Sequence, residues 1–197
     1  TRFKERYMSL WGNDIKPKNL TDAEKKEVFA NKKGWVREAG SILSGNGNTG
    51  ADPEVLVAIS NLSANMGAAN ITEIEFVTTS FDKSDGGNID VLVRFNEPVT
   101  VTGTPRVSIT NGNQGSGTGR GPHLANYLSG STTNELTFRC TIGAANSATN
   151  AGDILVIGTN ATALNSGTIK DTGEGTVATI TNTSAQGTAA GSITVAA

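Results

Sequence analysis

Cysteine and histidine are scarce in this sequence, and each scarcity excludes a kind of chemistry. The only cysteine, Cys140, cannot form a disulfide within the chain, so the fold either forms in a reducing compartment or needs no cross-link. The only histidine, His123, stands without a G-x-S-x-G motif, so a hydrolase triad has no support. No run of 18 apolar residues occurs, so no membrane-spanning helix is predicted.

Glycine is abundant instead, with 24 residues among 197, while aromatic residues make up 5% and charged residues 17%. Together with many Thr, Asn and Ser residues, this composition is typical of short strands joined by tight turns. The net charge of −2 indicates neither nucleic acid nor a membrane as partner. The chain is long enough for one or two domains with an ordinary core.

Charge is unevenly distributed along the chain. Residues 1–40 contain ten Lys or Arg against six acids, a net +4, which leaves −6 for the rest. A basic segment on an acidic body favours docking onto an acidic surface, although a solvated helical face would have the same composition. The first twelve residues contain no apolar signal region, so synthesis in a host cytoplasm without a signal peptide is expected.

Two short helices are predicted near the N-terminus. In 22–33, Thr21 and Glu24 form a capping box and Gly34 suits the C-terminal end. In 53–66, Asp52 is the expected N-cap, Pro53 occupies the first turn, and apolar residues recur at helical spacing. We therefore predict that residues 1–69 form an extended N-terminal arm with these two helices, packed on the body or on a partner.

The hydrophobic period changes to two from residue 70 onward. Ile89, Val91, Val93 and Phe95 alternate with polar residues, and Leu136, Phe138, Cys140 and Ile142 do the same, so Cys140 is expected to be buried. Short segments of this kind, without intervening helices, continue to "TVATITNT" (176–183) and "SITVAA" (192–197). Residues 70–197 are therefore predicted to form a β-sandwich of about seven to nine antiparallel strands.

Three segments of this body resemble one family. "VRFNEPVTVTGTPRVSI" (93–109), "ANYLSGSTTNELTFRCTIG" (125–143) and "LNSGTIKDTGEG" (164–175) occur in the order found in bacterial immunoglobulin-like (Big-type) repeats of large surface proteins. The resemblance covers about 71–182. It implies a mainly β, immunoglobulin-like sandwich that serves as a spacer or binding module without enzymatic activity.

The N-terminal segment carries a second resemblance. "RFKERYMSLWGNDIKPKNLT" (2–21), "KKGWVREAG" (32–40) and "PEVLVAI" (53–59) are similar to virion structural proteins of marine tailed phages, cyanophages among them. This implies a capsid decoration protein on the virion surface, fastened to the major capsid protein and able to self-associate there. The expected contacts are the aromatic and basic residues of the arm: Phe3, Tyr7, Trp11, Phe29, Trp35, Arg2, Lys4 and Arg6.

The alternative function is a tail or fibre adhesin that binds a host-surface glycan or receptor. Sandwich-end loops commonly display binding residues, so Arg120, His123 and Tyr127, in and after the glycine-rich loop 111–123, are the expected outward contacts. "GSGTGRG" (115–121) lacks the Lys-Ser/Thr of a phosphate loop and no helix follows it, so phosphate binding is not expected.

No catalytic residues, cofactor or metal are predicted. Glu73 and Glu75 share a strand face, but paired acids on an exposed strand usually only solvate it. Four acids in turn-like sequence could supply oxygen ligands for calcium, yet none forms a recognisable calcium loop: Asp82, Asp85, Asp153 and Asp171.

Overall fold

A computed structural model of the chain describes residues 20–41, 47–112 and 120–197. They form two parts, which we name the N-terminal unit (residues 20–66 of this set) and the sandwich (residues 69–197 of this set). The N-terminal unit contains α1 (Asp22–Glu27), β1 (Val28–Asn31), β2 (Gly34–Arg37), β3 (Glu54–Ala58) and α2 (Leu62–Asn65). Residues 1–19 lie outside the described part of the chain.

The N-terminal unit has its own small sheet and core. Its strands pair antiparallel in the order β1-β2-β3. Val28, Ala30 and Trp35 are buried together, and the partly buried side chains packed against them come from β3, from α2 and from both ends of the unit: Leu20, Leu56, Val57, Leu62 and Met66. The prediction of an extended arm is therefore not supported for the described residues.

The first predicted helix, 22–33, is too long. The capping box of Thr21 and Glu24 is present as expected, but the helix ends at Glu27 and the chain continues as β1. Gly34 begins β2 instead of ending a helix, and a Cβ there would lie 2.0 Å from the carbonyl oxygen of Val57. Strand pairing is favoured over a longer helix here, because the residues after Glu27 include β-branched and aromatic side chains that fill the sheet's core.

The second predicted helix, 53–66, is wrong over most of its length. Residues 54–58 form β3 on β2, and only Leu62–Asn65 is helical. Val55, Val57 and Ile59 recur with period two as well as lying within the helical pattern, so the local signal was ambiguous. The backbone of β2 supplies the hydrogen-bonding partner that decides it.

The sandwich is built from nine strands in one connected sheet. Its order is β11-β6-β9-β8-β7-β10-β12-β5, with β4 also paired to β6, and all pairs are antiparallel except β12 with β5. The strands are β4 (Ile71–Phe76), β5 (Phe81–Asp82), β6 (Gly87–Thr102), β7 (Arg106–Asn111), β8 (His123–Ser129), β9 (Thr133–Ile142), β10 (Ile154–Ala163), β11 (Thr168–Asp171) and β12 (Ser192–Ala196).

All nine strands contribute side chains to a single core cluster. One continuous sheet can do this only by folding over on itself, so the fold is mainly β and β-sandwich-like. The predicted inward faces of 89–95 and 136–142 are confirmed, since Phe95 and Phe138 are fully buried and Cys140 is buried beside them.

The segment 176–183, predicted as a strand, makes only isolated bridges at Val177 and Thr179. It leads into α3 (Ser184–Ala189), a helix where only strands were expected. Thr183 and Gln186 form its capping box. Asn182 replaces strand pairing here, because its side chain accepts from Ala161 N at 2.8 Å and donates to Gly158 O at 2.8 Å.

Candidate functional site

The N-terminal unit meets the sandwich at a cluster of charges centred on Arg94 of β6. Its Nε donates to Glu135 Oε1 at 2.6 Å, and its Nη1 donates to Glu73 and Glu75, both at 2.8 Å. Glu38, which follows β2, brings a fourth carboxylate within 4.0 Å of Nε. We call these five residues the Arg94 cluster, and one guanidinium here faces four acids.

Two further contacts join the N-terminal unit to this cluster. Lys26 of α1 lies 2.8 Å from Glu73, and together with Arg94 it lowers the pKa of Glu73 although burial opposes this. Asn134 donates to Glu38 at 3.2 Å. Burial, and then the charge of Glu135, nevertheless raise the pKa of Glu38 to about 7. At this junction four carboxyl groups face two cations, Arg94 and Lys26, so acidic groups outnumber basic ones.

On the N-terminal unit, β3 has an open edge. It pairs with β2 on one side, and no strand in the described ranges pairs with its other side. Val55 is 42% exposed and Ile59, just beyond the strand, is 36% exposed. An unpaired edge with exposed apolar side chains can accept a strand from another protein. We call this surface the β3 edge and take it as the candidate attachment site.

Of the predicted arm contacts, the structure describes only Phe29 and Trp35, and both are buried. Trp35 is 1% exposed and belongs to the small sheet's own core, so neither side chain has surface to offer a partner in this fold. The other six lie in 1–19, outside the described residues: Phe3, Tyr7, Trp11, Arg2, Lys4 and Arg6. Their role stays a prediction.

The three predicted outward contacts do not form an exposed patch. His123 begins β8 and is buried. Tyr127 is half-buried, with its ring edge-on to Phe138 at 6.0 Å and its hydroxyl accepting from Ser131 N. Arg120 is also half-buried.

His123 belongs to a buried polar cluster that also contains Asn111 and Asp153. Asn111 donates to Asp153 Oδ2 at 2.8 Å and lies 3.4 Å from His123 Nε2. Asn150 N donates to the same Asp153 oxygen at 2.9 Å. Burial lowers the pKa of His123, and the Asp153 charge opposes that change. The cluster links β7 and β8 to the residues just before β10.

The other three acids named above as possible calcium ligands lie in different surroundings. Asp82 accepts from Ser84 in a turn, Asp85 is exposed, and Asp171 is buried at the end of β11. Within the described part of the chain, no group of three or more His, Cys, Asp or Glu could hold a metal ion, and no helix could span a membrane.

The β3 edge was missed by sequence reasoning. The period-two recurrence of Val55, Val57 and Ile59 was the signal that could have found it.

No protein-family model, curated protein or solved structure matched this chain.

Proposed function

We propose that this chain is a non-enzymatic structural protein of a phage virion, a capsid decoration protein. In this proposal the N-terminal segment fastens to the lattice of the major capsid protein, and an immunoglobulin-like sandwich is displayed outward. The observation that carries the proposal is the two-part architecture, in which a small separate sheet, whose β3 edge pairs with no strand among the described residues, is attached to the sandwich.

The separate cores of the two parts, and the charged contacts between them, support this function. The sandwich core is complete without the N-terminal unit's core residues, which form a second cluster. The Arg94 cluster joins the parts through Glu38 and Lys26, so a unit bound to a shell would hold the sandwich in a defined orientation. The acidic excess of residues 41–197 suits a displayed, soluble surface.

The adhesin alternative has weaker support, because His123 is buried and the Tyr127 hydroxyl already accepts a hydrogen bond. An enzymatic function has none from the described side chains. The buried polar residues beside His123 hydrogen-bond one another around Asp153.

The first test is the copy number of the chain in purified phage particles, measured by mass spectrometry against the major capsid protein. A stoichiometric ratio is expected. A few copies per particle would favour a tail component instead, and absence from particles would contradict a virion function.

The second test measures binding to undecorated shells by two single variants and one deletion variant. Val55→Lys places a charge on the β3 edge, whereas Leu128→Lys is the matched control on the sandwich, where Leu128 is 48% exposed. Deletion of residues 1–19 removes the predicted arm contacts but leaves every described element. Loss of binding in Val55→Lys or in the deletion, with Leu128→Lys unaffected, is expected. Unchanged binding in both would contradict attachment through the N-terminal segment.

A further inference from the structure

Glu38 is a contact between the two parts of the protein and not an ordinary surface acid. It follows β2, and its backbone N donates to Glu27 O at 2.9 Å, which ties it to the end of α1. Its side chain reaches the sandwich, where Asn134 donates to Glu38 Oε1 at 3.2 Å. Only 23% of this side chain is exposed. A carboxyl group withdrawn from water in this way is stabilised either by a cation or by a proton.

The nearest cation makes its hydrogen bonds to other acids. Arg94 Nε donates to Glu135 Oε1 at 2.6 Å, whereas Glu38 Oε1 lies 4.0 Å from the same nitrogen, beyond hydrogen-bonding distance. The Nη1 atom of Arg94 donates to Glu73 and Glu75. Glu38 therefore approaches a guanidinium that three carboxylates of the sandwich already share.

The charged groups that face Glu38 come from every element packed around it. They are Arg94 of β6, Glu135 of β9, Glu73 and Glu75 of β4, and Lys26 of α1. Three of these five groups are acids, and ionised Glu38 would be a fourth. Burial and then the charge of Glu135 raise the pKa of Glu38 to about 7, although Asn134 and Arg94 oppose this change.

We propose that Glu38 is a proton-controlled latch between the two parts: protonated, it hydrogen-bonds Glu135 across the junction, and its ionisation loosens the N-terminal unit from the sandwich. Two carboxyl groups can hydrogen-bond to each other only while one of them carries a proton. When that proton passes to water, the hydrogen bond is replaced by repulsion between two carboxylates. The latch does not depend on what the chain attaches to.

The connection between the parts allows such a movement. The two core clusters are separate, and residues 67 and 68 join the N-terminal unit to the sandwich. Gly67 has a φ of 86°, and nothing lies within 4 Å of its Cβ position. The remaining pair of Lys26 with Glu73 is half exposed on the lysine side and holds the parts together only weakly.

The direction of the pH response follows from the raised pKa. Because the folded pKa of Glu38 exceeds its ordinary value of 4.5, the latch contributes fully below pH 4.5 and its contribution is lost as the pH rises through about 7. The junction should therefore be closed in mild acid and loosened in mild alkali.

The test measures the distance between two spin labels on the full chain, one on each part, by pulsed electron paramagnetic resonance. Lys33→Cys and Leu128→Cys place the labels at exposed positions, and Cys140 is buried. We expect one narrow distance distribution at about pH 5.5 and a broad one at about pH 8.5, with the circular dichroism spectrum unchanged. A narrow distribution at both pH values would overturn the proposal, as would loss of secondary structure at the higher pH.

Glu38→Gln, made in the doubly labelled chain, tests the residue assigned to the latch. Glutamine keeps a hydrogen-bond donor for Glu135 and cannot ionise, so this variant should give the narrow distribution at both pH values. Glu75→Gln is the control within the Arg94 cluster, and Glu97→Gln is the control for the other buried acid whose pKa is raised to about 7. Both controls should loosen at high pH like the parent. Loosening of Glu38→Gln, or its absence in Glu97→Gln, would overturn the assignment to Glu38.

Discussion

Lys26 Nζ lies 2.8 Å from Glu73 Oε1, and this pair links the first helix of the N-terminal unit to β4 of the sandwich. Glu73 also accepts from Arg94, so one carboxylate is shared between cations of the two parts. Lys26 is half exposed and contributes little by itself. The half-buried Arg94 is the residue on which the junction depends.

Replacing Arg94 with Met should destabilise the protein by about 2–4 kcal/mol, because four carboxylates would lose their shared cation. Chemical denaturation measures this change. Arg139→Met is the matched control, since Arg139 forms a two-bonded pair with Asp90 on the exposed surface of the same sheet. The control should change stability little, and equal losses in the two variants would contradict a special role for Arg94.

Stability should fall as the pH rises from about 5 to 8. Glu38 and Glu97 both have a pKa raised to about 7, so the folded protein binds more protons than the unfolded chain between pH 4.5 and 7. The loss is up to about 3 kcal/mol per group. Glu73 has the opposite sign, since its lowered pKa gives stability that disappears below pH 4.5.

Denaturation at several pH values checks this dependence. Glu38→Gln should flatten the curve above pH 5, and Glu75→Gln is the control in the same cluster. A parent protein whose stability rises towards pH 8 would contradict the expected sign.

Gly187→Ala should destabilise the protein although alanine is the better helix former. A Cβ at Gly187 would lie 2.4 Å from Ile157 O and 3.1 Å from Gly158 O, so α3 would have to move away from β10. The expected cost is about 1–3 kcal/mol. Gly143→Ala is the control, because nothing lies within 4 Å of its Cβ position. Thermal melting distinguishes them, and a stabilised Gly187→Ala would show that the close approach is relaxed.

Asp153→Ala should cost about 2–3 kcal/mol, because the Asn111 amide and Asn150 N would lose their acceptor in a buried place. Removing this charge should also lower the pKa of His123 further, since the Asp153 charge opposes the effect of burial. The chain contains one histidine, so its NMR titration is free of overlap. Asp85→Ala, at an exposed turn, is the control. A His123 pKa unchanged by Asp153→Ala would show that the two groups are not coupled.

Much of the sandwich followed from the sequence. Residues 89–95 and 136–142 show an uninterrupted period of two. The inward face of each segment is buried as predicted, because the side-chain alternation of a strand is local geometry. The two capping boxes at Thr21 and Thr183 are equally local, although only the first was recognised. The attachment surface was harder, since residues 53–59 satisfy both the helical and the strand pattern.

The sequence by itself determined the mainly β class, the inward faces of the long strands and the scarcity of catalytic side chains, since each depends on composition or on near neighbours. Tertiary structure decided the rest. Strand β3 exists because β2 offers it a paired edge, and Trp35 is an internal side chain because α2 and β3 close over it. Glu97 and Asp171 stand far apart in the sequence, and only the pairing of β6 with β11 brings their charges together.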